Sequence, residues 1–197
     1  MNPVEETYQR FARLRQTALT MGVMALLISA IGFGIAGKTQ FFQSYLYAYM
    51  VWMCLTLGLF GLTLLHHTVR GSWGLPILRF MEAGATTLPL MLVLFLPVLA
   101  GIRELYPWAR PEVVQASEHL QHKTGYLNVP FFVARAAIYF AIWIGLAGVL
   151  RRWSLQQDTT EDPTLAQKRM NLSAPGLVLF VLSVTFAMID WVMSLEP

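Results

Sequence analysis

An all-α fold, a polytopic bundle of about five transmembrane helices, is what this sequence predicts, and three observations predict it. The first is composition. Of 197 residues, 56% are hydrophobic and 13% charged, whereas a soluble domain carries roughly 25% charge. Too few charges remain to cover a water-facing surface. The second is segmentation: five apolar stretches reach the roughly 20 residues that a helix needs to cross a hydrocarbon core. The third is placement, because lysine and arginine gather at the ends of those stretches. Helices are required since lipid satisfies no backbone N–H or C=O, and the alternation of a membrane barrel strand is missing.

The elements follow in chain order. Residues 1–16 read as a cytoplasmic interfacial amphipathic segment, with Tyr8, Phe11 and Leu14 recurring every three residues opposite basic ones. Residues 17–197 then form the bundle, with spans at about 17–36, 44–65, 83–102, 130–150 and 175–195. The first stretch is too long for a signal-peptide core, and Gly34-Ile35-Ala36 is a weak cleavage site. A tight outer turn at 37–43 leads into the second span. The inner link 66–81 is broken by Gly71 and Gly74 around Trp73, and Pro89 is expected to kink the third span. The outer loop 103–129 should carry one short helix over 111–123, opened by Pro111. The inner loop 151–174 should carry another, begun by Asp162-Pro163.

Sidedness follows from the positive-inside rule. Nine basic residues fall on one side (Arg10, Arg13, Arg15, Arg70, Arg79, Arg151, Arg152, Lys168 and Arg169), and four on the other (Lys38, Arg103, Arg110 and Lys123). The N-terminus is therefore expected in the cytoplasm. The net charge of +3 sits at helix ends with no aromatic-interleaved basic patch, so the partner is the lipid bilayer and not nucleic acid. Cys54, the one cysteine, cannot form an internal disulfide and reads as a small hydrophobe.

Ionisable residues at membrane depth are candidates for function. Arg135 lies about five residues into the fourth span, and Asp190 about as far from the outer end of the fifth. The helices run in opposite directions, so the two side chains reach similar depths and would offset each other's desolvation as a pair. Phe132, Arg135, Tyr139 and Trp143 share one helical face; Ser183, Asp190 and Ser194 share another. Such stripes could line a proton or quinol-headgroup route, or form a structural ion pair, or let Arg135 snorkel to the headgroups. On the inner side Glu82 opens the third span with Thr86 one turn further in. It reads either as a carboxylate bridged to Arg79 or as a proton-loading site joined by His66 and His67. His119 and His122 are three apart but lack a third ligand, and all four histidines fall outside the expected spans, which disfavours a transmembrane bis-histidine haem. No cofactor motif is present, so no cofactor and no metal is expected on this chain. Gly32, Gly34, Gly58 and Gly61 suit close helix packing.

Several strings carry a family resemblance. They are Gln43-Ser44-Tyr45-Leu46-Tyr47-Ala48-Tyr49, Leu65-His66-His67, Gly71-Ser72-Trp73-Gly74 and Glu104-Leu105-Tyr106-Pro107-Trp108-Ala109, then Gln121 through Tyr126-Leu127-Asn128 to Phe132, and Asp190-Trp191-Val192-Met193-Ser194-Leu195-Glu196-Pro197. Over nearly the whole chain they resemble the smaller of the NrfD/PsrC-like membrane subunits of bacterial alternative complex III. That complex is a quinol:electron-acceptor oxidoreductase of the respiratory chain. The resemblance implies a subunit in the bacterial cytoplasmic membrane, supporting assembly and proton translocation. It implies as partners a larger paralogous membrane subunit, an iron–sulfur subunit, and multihaem and monohaem cytochrome c subunits, with the c-type haems and iron–sulfur clusters on those partners and quinol as substrate of the complex. Members are about twice this length, so the resemblance also makes this chain the N-terminal half of a longer fold. Two rival readings remain: a structural subunit resembling subunit III of haem–copper oxidases, and a stand-alone small transporter.

Overall fold

The structure, a computed structural model, describes residues 3–35, 37–69, 74–160, 162 and 164–197, with the side chains of Pro3 and Val4 left aside. Every regular element among the described residues is helical. Five stretches are long and apolar enough to cross a membrane: Glu5–Ile35, Lys38–Val69, Leu75–Ala100, Val129–Gln157 and Thr164–Leu195. The all-α transmembrane bundle is therefore present, but several element ends differ from the expected ones.

Helix α1 (Pro3–Ile35) is continuous. The interfacial segment and the first span, expected as two pieces, form one helix because no residue between them breaks it. At ~1.5 Å per residue its length is about 50 Å, well beyond a hydrocarbon core of about 30 Å. Tyr8, Phe11 and Leu14 are exposed on its first turns, where Arg10 pairs with Glu6 at 2.8 Å. Ala36 lies outside the described residues. The turn expected over 37–43 shrinks to Gly37, whose φ of +79° suits glycine alone among common residues, and α2 (Lys38–Val69) starts at the next residue.

Arg70, Gly71 and Trp73 lie outside the described residues, and so does any break they make. The third crossing is two helices, α3 (Leu78–Ala85) and α4 (Leu88–Ala100), preceded by a 3-10 turn at Leu75–Ile77. The chain breaks at Thr86-Thr87, not by a kink at Pro89. Proline cannot donate to the carbonyl of Ala85, so α3 stops and Pro89 falls in the first turn of α4, where its missing N–H costs nothing.

The outer-loop helix expected over 111–123 is divided. After α5 (Ile102–Leu105) come α6 (Pro111–Ala116) and α7 (Glu118–Lys123), with Ser117 extended between them at φ −125°, ψ 110°. The separate surface helix expected after Asp162-Pro163 is absent. Helix α8 (Val129–Gln157) runs on past its apolar stretch, and α9 (Thr164–Trp191) starts early and continues through Pro175. Pro163 lies outside the described residues. Asp162 accepts the N–H and the hydroxyl of Thr164, both at 2.8 Å, and these bonds hold its carboxyl below the ordinary range. A 3-10 turn, Met193–Leu195, follows α9.

Four crossings make the core and the first stands aside. Helix α2 packs on α9, α3 and α4, and α8 packs on α9. None of the most apolar window of α1 is buried; its Phe33 meets Phe41 and Phe42 edge-on at the start of α2. The centre is aromatic: Trp143, Trp191, Phe60, Phe95, Phe132 and Phe140 are all fully buried. Close approach matters at Gly101, where an added Cβ would sit 2.2 Å from the Phe42 ring. Gly101→Ala is expected to cost about 1–3 kcal/mol through overpacking, measurable as a lower unfolding midpoint in detergent.

Candidate functional site

The buried ionisable residues, His66, His67, Glu82, Arg135 and Asp190, gather at the two ends of the bundle. The end carrying residues 103–128 is the loop end, and the end joining α8 to α9 the link end.

At the loop end, Asn128 starts α8: its side chain accepts the Phe131 N–H at 2.9 Å, with Pro130 in the first turn. That start sets the depth of Arg135. Its Nε and Nη2 donate to the two oxygens of Asp190, each at 2.8 Å, a bidentate fork. Nη1 donates to the Tyr126 carbonyl at 3.0 Å, and the guanidinium lies over the rings of Tyr126 and Phe131, 3.9 and 4.3 Å from their centroids. The Tyr139 hydroxyl donates to Asp190 at 2.8 Å. Asp190 is 1% exposed and Arg135 7%.

Both carboxylate oxygens thus hold donors, and the charges cancel. Such an arrangement clamps α8 to α9 and leaves Asp190 little capacity for an incoming group. One stratum deeper, Trp143 Nε1 donates to Ser183 at 2.8 Å. The hydrogen bonds that close the end of α9 come from the 103–109 stretch. Tyr106 Oη donates to the Trp191 carbonyl at 2.9 Å, and Trp108 Nε1 to that of Ser194 at 3.1 Å. Burial pushes the Tyr106 phenol up, and the Asp190 carboxylate adds to that.

The link end holds a second cluster. Glu82, 3% exposed, accepts from Arg79 Nη1 at 2.9 Å through Oε2, which is the bridge expected from their three-residue spacing. Arg79 also donates to Ser154 at 2.9 Å and binds the Asp158 carboxylate, tying α3 to α8. The other Glu82 oxygen, Oε1, faces His67 Nε2 at 3.9 Å, and both atoms are buried without a hydrogen-bond partner. Arg169 donates to Gln157, and its own Nε is likewise buried and unpartnered.

Some sequence-predicted residues meet and others do not. Arg135, Tyr139 and Asp190 form one site, and Ser183 joins the same face through Trp143. His67 Nε2 lies 3.9 Å from the Glu82 carboxylate. The rings of His66 and His67 diverge on adjacent helix positions, and His66 lies against Gly74, where an added Cβ would sit 2.5 Å from Nδ1. Both histidines are buried in the last turns of α2, so the expectation that all four lie outside the spans is corrected for these two. The Thr86 N–H donates to the Glu82 carbonyl at 3.1 Å, but its hydroxyl does not reach the carboxylate. Thr86 is exposed at the α3–α4 break, donates to the Ala83 carbonyl at 2.7 Å and accepts from Arg151 at 3.4 Å.

Sequence reasoning missed Ser154, Asp158 and Arg169 as members of the inner cluster. The i,i+4 spacing of Ser154 and Asp158 was the available signal. Among the described residues, no three His, Cys, Asp or Glu side chains gather closely enough to hold a metal ion. Compared with known proteins, the chain matches no family model and no curated protein.

Proposed function

We propose that this chain is an integral membrane subunit of a quinol:electron-acceptor oxidoreductase of the alternative complex III type, serving assembly beside a larger paralogous membrane subunit. In this reading it lies in the bacterial cytoplasmic membrane with its loop end outside. It binds no redox cofactor of its own; iron–sulfur and c-type haem subunits carry those centres. One observation supports the reading above the rest. Three of the strings that carry the resemblance, far apart in sequence, converge on one buried site. Glu104–Ala109 supplies Tyr106 and Trp108, Gln121–Phe132 supplies Tyr126 and Phe131, and Asp190–Pro197 supplies Asp190, Trp191 and Ser194.

A second role, proton uptake from the inner side, is favoured by the His67–Glu82 pair. Two buried titratable groups with unpartnered atoms 3.9 Å apart can share a proton after a small side-chain rotation. Along α8 the way onward is mostly apolar. Arg135 and Ser154 are about 28 Å apart along α8 at ~1.5 Å per residue, and Trp143, Phe140, Ala147 and Leu150 fill the buried face between them beside Tyr139.

Mild-detergent purification of the native assembly tests the proposal, with subunit mass spectrometry and haem spectra on the same band. An iron–sulfur subunit, c-type haem and a larger paralogue are expected. A haem–copper core would favour the oxidase subunit III-like reading, and a chain running alone the transporter. For the inner pair, Glu82→Gln is expected to abolish proton uptake by the assembly while leaving its subunit composition intact; unchanged uptake would remove His67–Glu82 from the path.

A further inference from the structure

Past Leu150, α8 turns from apolar to polar within one residue, at Arg151-Arg152. From Val129 to Arg151 the helix rises about 33 Å at ~1.5 Å per residue, close to the ~30 Å of a hydrocarbon core. These two arginines therefore stand at headgroup level at the link end. Gly148, Arg151, Arg152, Leu155, Gln156 and Thr159 follow one another at helical spacing on a single face and border a hollow of about 440 Å³.

Among the described residues, no carboxylate lines this hollow. Among the described residues neither Arg151 nor Arg152 has an ion pair; Arg151 makes one long hydrogen bond, to Thr86 at 3.4 Å. Asp158, the nearest acid along the helix, is taken by Arg79. On the membrane side, Gly148 leaves nothing within 4 Å of where a Cβ would lie. Along the axis the face presents open space at Gly148, then two guanidiniums, then the exposed Leu155 and, beside and beyond it, the amide and hydroxyl of Gln156 and Thr159.

That order is the order of a phospholipid: acyl chain, phosphate, hydroxylated headgroup. We propose that this face of α8 binds an anionic phospholipid, with its phosphate held by Arg151 and Arg152, an acyl chain along Gly148, and headgroup hydroxyls reaching Gln156 and Thr159. Arginine suits the phosphate because its donors form a planar fork. The inference is independent of the quinol oxidoreductase reading and requires only that the chain sit in a bilayer.

Native mass spectrometry of the full chain in an uncharged detergent tests it, with phosphatidylglycerol or phosphatidylcholine added. One phosphatidylglycerol is expected to stay bound where phosphatidylcholine does not. Arg151→Gln with Arg152→Gln should weaken that binding by roughly 10- to 30-fold. Arg151→Lys with Arg152→Lys should keep most of it, and Arg13→Gln with Arg15→Gln, an equal charge loss on α1, should leave it unchanged. Circular dichroism confirms that each variant is folded; if the double glutamine variant is not, Arg152→Gln alone carries the test, with a loss of about fivefold. Equal retention of the two lipids, an equal loss in the α1 variant, or displacement by millimolar inorganic phosphate would each overturn the proposal, the last by marking a phosphate site and not a lipid site.

Discussion

Asp190→Asn is expected to destabilise the chain by about 3–5 kcal/mol, because it leaves the Arg135 guanidinium buried without its counter-charge. The substitution keeps shape and volume, so the loss reports charge and hydrogen bonding. In the native chain Asp190 accepts two bonds from Arg135 and one from Tyr139, all at 2.8 Å. With asparagine, one of those positions presents an NH2 toward a donor. Thermal unfolding in detergent, followed by size-exclusion recovery, measures the effect. Replacing both partners, Arg135→Met with Asp190→Leu, should recover most of the stability, since an apolar pair removes the desolvation cost along with the attraction. A single variant as stable as the wild type would show that the ion pair does not hold α8 to α9.

The second large effect is expected at Trp191, at the last position of α9. Its ring is fully buried; it stacks on Phe140, meets Trp143 edge-on and lies tilted against Phe95, with centroids 5.8, 5.9 and 4.7 Å away. Inside a bilayer, helices gain no hydrophobic drive toward one another, so packing contacts hold them together. Trp191→Ala would open a cavity touching α4, α8 and α9, at a cost of roughly 3–5 kcal/mol. Trp191 Nε1 is buried without a partner. Trp191→Phe removes that unpaired N–H while keeping a ring, and is expected to lose less than half as much. Equal losses in the two variants would mean that the indole nitrogen is engaged in the folded chain. The same detergent unfolding measurement separates these outcomes.

The five crossings were legible because apolar runs of about 20 residues admit few alternatives, and Arg135 and Asp190 were legible because charge is rare at that depth. Their pairing could be inferred from antiparallel direction and equal depth alone. Helix ends were less legible. Helices α8 and α9 extend beyond the apolar windows because Ser154, Asp158 and Arg169 find polar partners in the link-end cluster, a long-range fact that hydropathy does not record. The break at Thr86-Thr87 lies ahead of the proline that causes it, since a proline acts on the carbonyl four residues before it. Both His66 and His67 were expected beside Glu82, and it is His67 Nε2 that lies 3.9 Å from Glu82 Oε1. Choosing between adjacent histidines needs the rotation of α2 against α3, which a helix apolar on nearly all sides does not reveal.

The outer and inner sites exist as such only if the crossings alternate, and substituted-cysteine labelling measures that directly. In a Cys54→Ala background, single cysteines at Thr7, Glu112 and Thr159 would be challenged in intact cells with a membrane-impermeant maleimide. Labelling is predicted at Glu112 alone, with Thr7 and Thr159 labelled only after the membrane is opened. Labelling of Thr7 or Thr159 together with Glu112 in intact cells would contradict the five-crossing arrangement, and the assignment of the Arg135–Asp190 and His67–Glu82 clusters to opposite faces would fall with it.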